Sequence, residues 1–177
     1  METINTITQA MEHTIKLPIQ CPHDAVERWQ KAIHEMTTGY TEDPELDVQF
    51  DVDHDEIVIS RGLGFNSLCE HHLFPFFGTA DVAYIPRKGI VGLSKLARAV
   101  DVYSKRFQTQ ERMAQEIADA IERNLDPLGV AVIVRGVHTC QKCRGIKKDG
   151  EMITSVMRGE FRRQENPRSE VLHLLNL

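Results

Sequence analysis

Residues 67–77 read Ser-Leu-Cys-Glu-His-His-Leu-Phe-Pro-Phe-Phe, which places a thiol and two imidazoles within four positions, directly ahead of an apolar aromatic run. The spacing of Cys69 and His72 lets a single turn offer a sulfur and a nitrogen to one metal ion. The next soft or borderline donors stand far along the chain, at His138, Cys140 and Cys143. A fold that serves one ion from both segments has to bring them together across that whole gap. Three protein ligands would leave a fourth position open, the pattern of catalytic zinc. Four, with Cys140 and Cys143 both coordinating, would close it as a structural module. An isolated Cys-x-x-His is usually ordinary buried thiol and hydrogen-bonded imidazole. The doubled histidine, the second His/Cys cluster and the charged groups between them weigh against that here. Cys21 and His23 also flank a proline, Pro22, but nothing around them supports a metal pair.

The 177 residues suit one domain with a sizeable core. A net charge of -5 argues against a broad nucleic-acid surface, yet leaves room for a local basic cluster that binds a small anion. No apolar run approaches membrane-spanning length, and Met1-Glu2-Thr3 begins nothing like a signal peptide, so no membrane partner is expected. Four cysteines, unevenly placed, make no disulfide framework. A reducing cytoplasm suits thiolates that hold metal.

The first 24 residues read as a loose arm with a short helix around Thr8 to His13. Asp24 is placed to cap a helix carrying Val26, Trp29, Ile33 and Met36 at helical spacing, closed by Thr38-Gly39. From Asp47 to Leu63 the pattern alternates as strands do, with the acidic turn Asp53-His54-Asp55 between two runs. Phe76 to Ile85 gives a further strand. One helix is expected from Ser94 as N-cap through Leu96, Val100, Tyr103 and Phe107. A second follows Thr109, with Met113, Ile117, Ile121 and Leu125 on one stripe, and stops at Asp126-Pro127. Gly129 to Val137 is almost wholly apolar, and Glu151 to Phe161 is its expected hairpin partner across Lys147-Lys148-Asp149-Gly150. Pro167 opens a terminal helix with Val171, Leu172 and Leu175. The class is α+β, in the order strand, strand, helix, helix, strand, strand. An open sheet of this kind exposes edges that must be covered or paired.

Cys69-Glu70-His71-His72, Gly92-Leu93-Ser94-Lys95-Leu96-Ala97-Arg98, Gln110-Glu111-Arg112 and His138-Thr139-Cys140 with Arg144-Gly145 together resemble the GTP cyclohydrolase I family, from about Arg28 to the C-terminus. The resemblance implies the tunnelling fold, an antiparallel four-stranded sheet with a helix pair on one face. It makes residues 1–177 one domain, with 1–45 a shortened N-terminal helical arm and 46–177 the core. It implies a homodecamer of stacked rings with active sites at subunit boundaries.

The same resemblance implies zinc on Cys69, His72 and Cys140, with Cys143 off the metal as a buried or partly buried thiol beside the site. GTP is the implied substrate. A zinc-activated water adds at guanine C8, formate is released, and the product rearranges to 7,8-dihydroneopterin triphosphate, a first step towards folate, other pterins or deazaguanines. His71 and His138 become the candidate proton shuttles, because imidazole titrates near neutrality. Otherwise they orient the ligands beside them. No Gly-x-x-x-x-Gly-Lys-Ser/Thr loop is present, so phosphate is not held by a P-loop. Lys95 and Arg98 share a helix face and, with Arg144, form a candidate triphosphate clamp that would otherwise be a solvated basic face. Ser94 adds a nucleotide contact and Gln110 a place beside the base. Glu111, which a helix N-terminus alone would explain, becomes the acceptor for guanine N1-H and its 2-amino group. A related enzyme of the same fold acting on a pterin or a deazaguanine is the nearest rival.

Overall fold

A computed structural model of the chain describes residues 9, 10, 13, 14, 24–46 and 49–177. The helix expected around Thr8 to His13 falls largely outside these residues, although Gln9, Ala10, His13 and Thr14 are helical. Cys21 and His23 also lie outside them.

The elements are α1 (Ala25–Glu35), β1 (Gln49–Phe50), β2 (Val58–Cys69), β3 (Pro75–Ile85), β4 (Ile90–Val91), α2 (Leu93–Ser104), β5 (Phe107–Gln108), α3 (Gln110–Leu125), β6 (Gly129–His138), α4 (Thr139–Lys142), β7 (Met152–Gly159), α5 (Glu160–Arg163) and α6 (Glu165–Leu174). The main sheet runs β5-β2-β3-β6-β7. Pairing is antiparallel from β2 through β7, and β5 adds a two-residue parallel rung to the end of β2. The sheet is therefore mixed and five-stranded, not the purely antiparallel four-stranded sheet expected. Phe107, expected on the first helix, instead leaves α2 through the tight turn at Arg106, whose N–H bonds to the Ser104 carbonyl, and lies beside Leu68.

The apolar run of β6 is explained by its position. Val130 to Val134 are all buried, because β6 sits between β3 and β7 with cover on both faces. On one face α2 and α3 contribute Leu96, Ala99, Val100, Met113, Ile117 and Ile121 to a core with Phe65, Phe76, Val82 and Tyr84. On the other, α5 and α6 supply Phe161, Val171 and Leu175 against Ala83, Ile133 and Met157. The α3 stripe is buried as read from the sequence. Thr109 Oγ1 caps this helix by accepting from Arg112 N–H at 3.2 Å, and Asp126 ends it in a left-handed conformation (φ 44°).

Several boundaries move. The N-cap of α2 is Gly92, so Ser94 lies exposed within the first turn and caps nothing. The long first strand starts at Val58 and continues to Cys69, and residues 51–56 are not in it. Asp24 stands at the N-cap of α1, but its carboxylate pairs with Arg28 at 2.8 Å instead of capping. No residue of α1 is buried, and Trp29 is half exposed. Helix α6 begins two residues before Pro167. Among the described residues no helix is long and apolar enough to cross a membrane.

One buried ion pair fixes a break in the β2–β3 ladder. Register shifts between Ser60 and Leu63, where Gly62 takes φ 67°, a conformation that suits glycine. Its N–H donates to Asp81 Oδ1 at 2.7 Å, and Asp81 Oδ2 pairs with Arg135 on β6. Asp81→Ala would leave both donors without that partner. We expect it to cost about 3 kcal/mol in urea unfolding at fixed protein concentration. An unchanged midpoint would show that the pair contributes nothing net.

Candidate active site

The β2–β3 connection wraps around the Cys69 backbone. Cys69 N–H donates to the Phe74 carbonyl at 2.8 Å, and the Cys69 carbonyl accepts from Leu73 at 2.8 Å and His72 at 3.3 Å. Leu73 takes φ 58° to close the turn. The result turns both imidazoles back on the thiol: Cys69 Sγ lies 3.7 Å from His72 Nδ1 and 3.9 Å from His71 Nδ1. Glu70 ties the turn to the start of α3. Its N–H donates to the Gln108 carbonyl at 3.0 Å, and its carboxylate takes the Arg112 guanidinium at 2.5 Å. Arg112 also donates to Gln108 Oε1 and the Phe107 carbonyl.

The second segment arrives through strand register. His138 ends β6 opposite Phe76, and Thr139 Oγ1 donates to the Pro75 carbonyl at 2.6 Å. Cys140 then follows in the single turn of α4. The ligand atoms of Cys69, His72 and Cys140 all lie within 4.8 Å of one another, the one such group among the described residues. Two thiols and an imidazole fit a borderline-soft divalent ion such as zinc. Burial and the neighbouring Cys69 thiol push the Cys140 pKa up. A cation between the two sulfurs would favour their thiolate forms instead. Cys143 is outside this group and exposed, not the buried or partly buried thiol expected.

Beside this group His138 is held on two sides. Its ring stacks on Phe76 at 4.6 Å and 5°, and Nε2 lies 3.1 Å from Gln110 Oε1. The Gln110 amide nitrogen faces only acceptors: the Val134 carbonyl (3.2 Å), the Met152 carbonyl (2.8 Å) and Thr154 Oγ1 (3.0 Å). Those partners fix the amide orientation, so Oε1 accepts and His138 Nε2 carries the proton. Nδ1 is then the lone-pair nitrogen. Burial pulls the His138 pKa below the usual imidazole value, and the Glu111 carboxylate pulls it back up. Gln110 itself is 1% exposed, and its side chain holds His138. Gly136 makes room for it, since a Cβ there would meet Gln110 Oε1 at 2.4 Å. Glu111, the next residue, is exposed.

The basic residues are divided. Arg144 is exposed, and its charge acts on Cys140, so it belongs to this end of the sheet. Lys95 and Arg98 do not. Val91 N–H donates to Tyr84 Oη, at the end of the sheet where Tyr84 pairs with Val58, so α2 starts there. Its C-terminal end reaches the Cys69 end about 18 Å away, where the Arg106 carbonyl accepts from Leu68 N–H. One chain therefore does not by itself gather Lys95, Arg98 and Arg144 into one clamp. His71 is largely exposed, with Nε2 3.9 Å from the Glu70 carboxylate.

The family described as GTP cyclohydrolase I matches residues 3–176. The chain belongs to the GTP cyclohydrolase I family. Proteins called GTP cyclohydrolase 1 are similar over most of its length. That of Brevibacillus brevis is 48% identical over 156 residues, covering 86% of this chain and 83% of its own. That of Parabacteroides distasonis is 44% identical over 153 residues, covering 84% and 78%. That of Thermoanaerobacter pseudethanolicus is 53% identical over 126 residues, covering 70% and 67%.

Sequence reasoning passed over Glu70, Arg112 and Gly136. Glu70 and Arg112 lie inside quoted motifs, and that was their only signal. Gly136 sits in an apolar strand, where a glycine marks a close approach. Cobalt(II) reports directly on the metal group. Wild type is expected to bind one equivalent, with thiolate charge-transfer absorption. Cys140→Ser should lose that absorption, and Cys143→Ser should keep it. Loss in both variants would bring Cys143 into the ligand set.

Proposed function

We propose that this chain is a zinc-dependent GTP cyclohydrolase I, which hydrolyses GTP, releases formate and forms 7,8-dihydroneopterin triphosphate. The observation that carries the reading is the Cys69, His72 and Cys140 group beside an imidazole whose tautomer is fixed by Gln110. Cys69, His72 and Cys140 would hold zinc, and zinc bound there would supply a water activated at neutral pH for attack on guanine C8. The exposure of Cys143 supports an open centre and not a four-ligand closed one.

His138 takes or returns a proton at Nδ1, because Gln110 occupies Nε2. His71, exposed and beside Glu70, is the second shuttle. Glu111 accepts from guanine N1-H and the 2-amino group, and adenine offers no such pair of donors. Ser94, Lys95, Arg98 and Arg144 hold the triphosphate. Their separation within one chain is answered by assembly. Among the described residues, the outer edge of β7, and that of β2 beyond the short β5 rung, carry no further strand, and such edges are paired or covered in a stable protein. A homodecamer in the tunnelling fold, with active sites at subunit boundaries, would set the cations of one copy against the metal group of another. Residues 46–177 then form the catalytic core and 1–45 an arm packed in the assembly. The cytoplasm, which keeps thiols reduced, is the matching compartment.

Formate release from GTP tests the reading. A chelator is expected to abolish it and zinc to restore it, and full turnover by metal-free protein would exclude the mechanism. Glu111→Gln should lower kcat/KM on the order of 100-fold with the fold intact, because an amide cannot replace both charged hydrogen bonds. Normal activity would return Glu111 to a helix-terminus role. His138→Ala should keep its metal but lose turnover. Loss of the metal instead would make His138 a ligand.

A further inference from the structure

The two cations assigned to the triphosphate are already engaged. Glu45 Oε2 lies 3.1 Å from Lys95 Nζ and pairs with the Arg98 guanidinium, so a single carboxylate oxygen serves both. The side chain of Lys95 is only 13% exposed, and a partly buried ammonium gains from an anion beside it. The Glu45 side chain is 57% exposed, but its backbone is held. It is flanked by buried Pro44 and Leu46, its N–H donates to Asp43 Oδ1 at 2.7 Å, and its backbone takes φ 50°, unfavourable for a residue with a Cβ. Strained positions of this kind persist where the surroundings hold them. Glu42, Asp43 and Asp101 line the same hollow of about 490 Å³ with Arg98 and Lys105, so an incoming anion also meets a negative rim.

A carboxylate and a phosphate present the same kind of oxygen to an ammonium and a guanidinium. They compete for one place. We propose that Glu45 is a resident counter-ion on Lys95 and Arg98 that the phosphates of the nucleotide displace, and that it determines specificity by setting the charge a ligand must bring. The inference rests on the proposed role of Lys95 and Arg98. Displacement takes a fixed amount from whatever a ligand gains at these cations, so only a ligand that gains more than that amount profits from them. A triphosphate absorbs that cost, whereas a weakly charged guanine ligand loses its advantage over bare guanosine. Without Glu45 the clamp would also hold stray anions more readily.

The test compares Glu45→Gln with wild type in three measurements on the zinc-loaded full chain: KM for GTP, inhibition by inorganic tripolyphosphate, and inhibition by guanosine. KM and the tripolyphosphate inhibition constant are expected to fall together by about three- to tenfold, the worth of one or two partly exposed ion pairs. The guanosine constant is expected to stay the same. Glu45→Gly, which suits the left-handed backbone, should give the same result and so separates charge from backbone strain. Unchanged constants would overturn the proposal. So would a rise, which would make Glu45 a residue that orients the clamp, and so would an equal shift for guanosine. Lys95→Ala is the control for the underlying reading. If it leaves KM for GTP unmoved, or if wild type releases no formate, the site assignment fails and the inference falls with it. If that control behaves and Glu45→Gln does not lower KM, only the role of Glu45 is lost.

Discussion

The register of three strands decides whether this chain has a metal group at all. Leu68 stands opposite Pro75, and Phe76 stands opposite His138, so the Cys69 turn and the end of β6 meet at one edge of the sheet. A slip of one residue in either ladder would send His138 or Cys69 to the opposite face. Close contacts guard against such a slip. A Cβ on Gly78 would come within 1.9 Å of the Arg135 carbonyl, so the strands fit there only with glycine. The irregularity at Gly62 is locked by Asp81 and Arg135, and the Gln110 amide ties α3 to backbone carbonyls of both β6 and β7. Residues outside the Cys69, His72 and Cys140 group thus set the distance between its two halves.

Gln110 and Glu111 show how sharply a helix N-terminus can divide labour. Consecutive residues point about 100° apart, so one is buried against β6 while the other faces outward. The buried amide is saturated and fixes which His138 nitrogen carries the proton. The exposed carboxylate stays close enough to act on the same imidazole and oppose the effect of its burial. A Gln at 111 and a Glu at 110 would fail twice over. The buried acid could not donate to the two carbonyls, and the exposed amide would bring no charge.

Elements with one dominant period were legible. The α3 stripe and the apolar run of β6 follow from burial alone, and the paired His/Cys segments are close together as their donor types suggested. Positions governed by competition between neighbours were not. Ser94 looks like a cap, but β4 delivers the chain in an extended conformation at Gly92, and the helix starts two residues earlier. Phe107 fits the helical spacing, yet the turn at Arg106 hands it to the sheet. Gln110 reads as polar and available, and only the sheet behind it reveals that its hydrogen bonds are already spent. The α1 pattern of Val26, Trp29, Ile33 and Met36 is present, but among the described residues Val26, Ile33 and Met36 are only half-buried and Trp29 is exposed.

The charge layout belongs to the same physics. In a chain of net charge -5, Lys95 and Arg98 stand one turn apart on α2 and concentrate positive charge locally. Two cations so close repel each other, and a partly buried ammonium is costly without an anion. Glu45 relieves both problems in the chain as folded. The metal end is built differently, with its donors oriented by backbone hydrogen bonds and by Arg112. Rigid donors suit a resident ion that stays through turnover, whereas a replaceable carboxylate suits a ligand that comes and goes. The two ends of the sheet therefore differ in kind, one with donors fixed by the backbone and one with cations held by an exposed carboxylate.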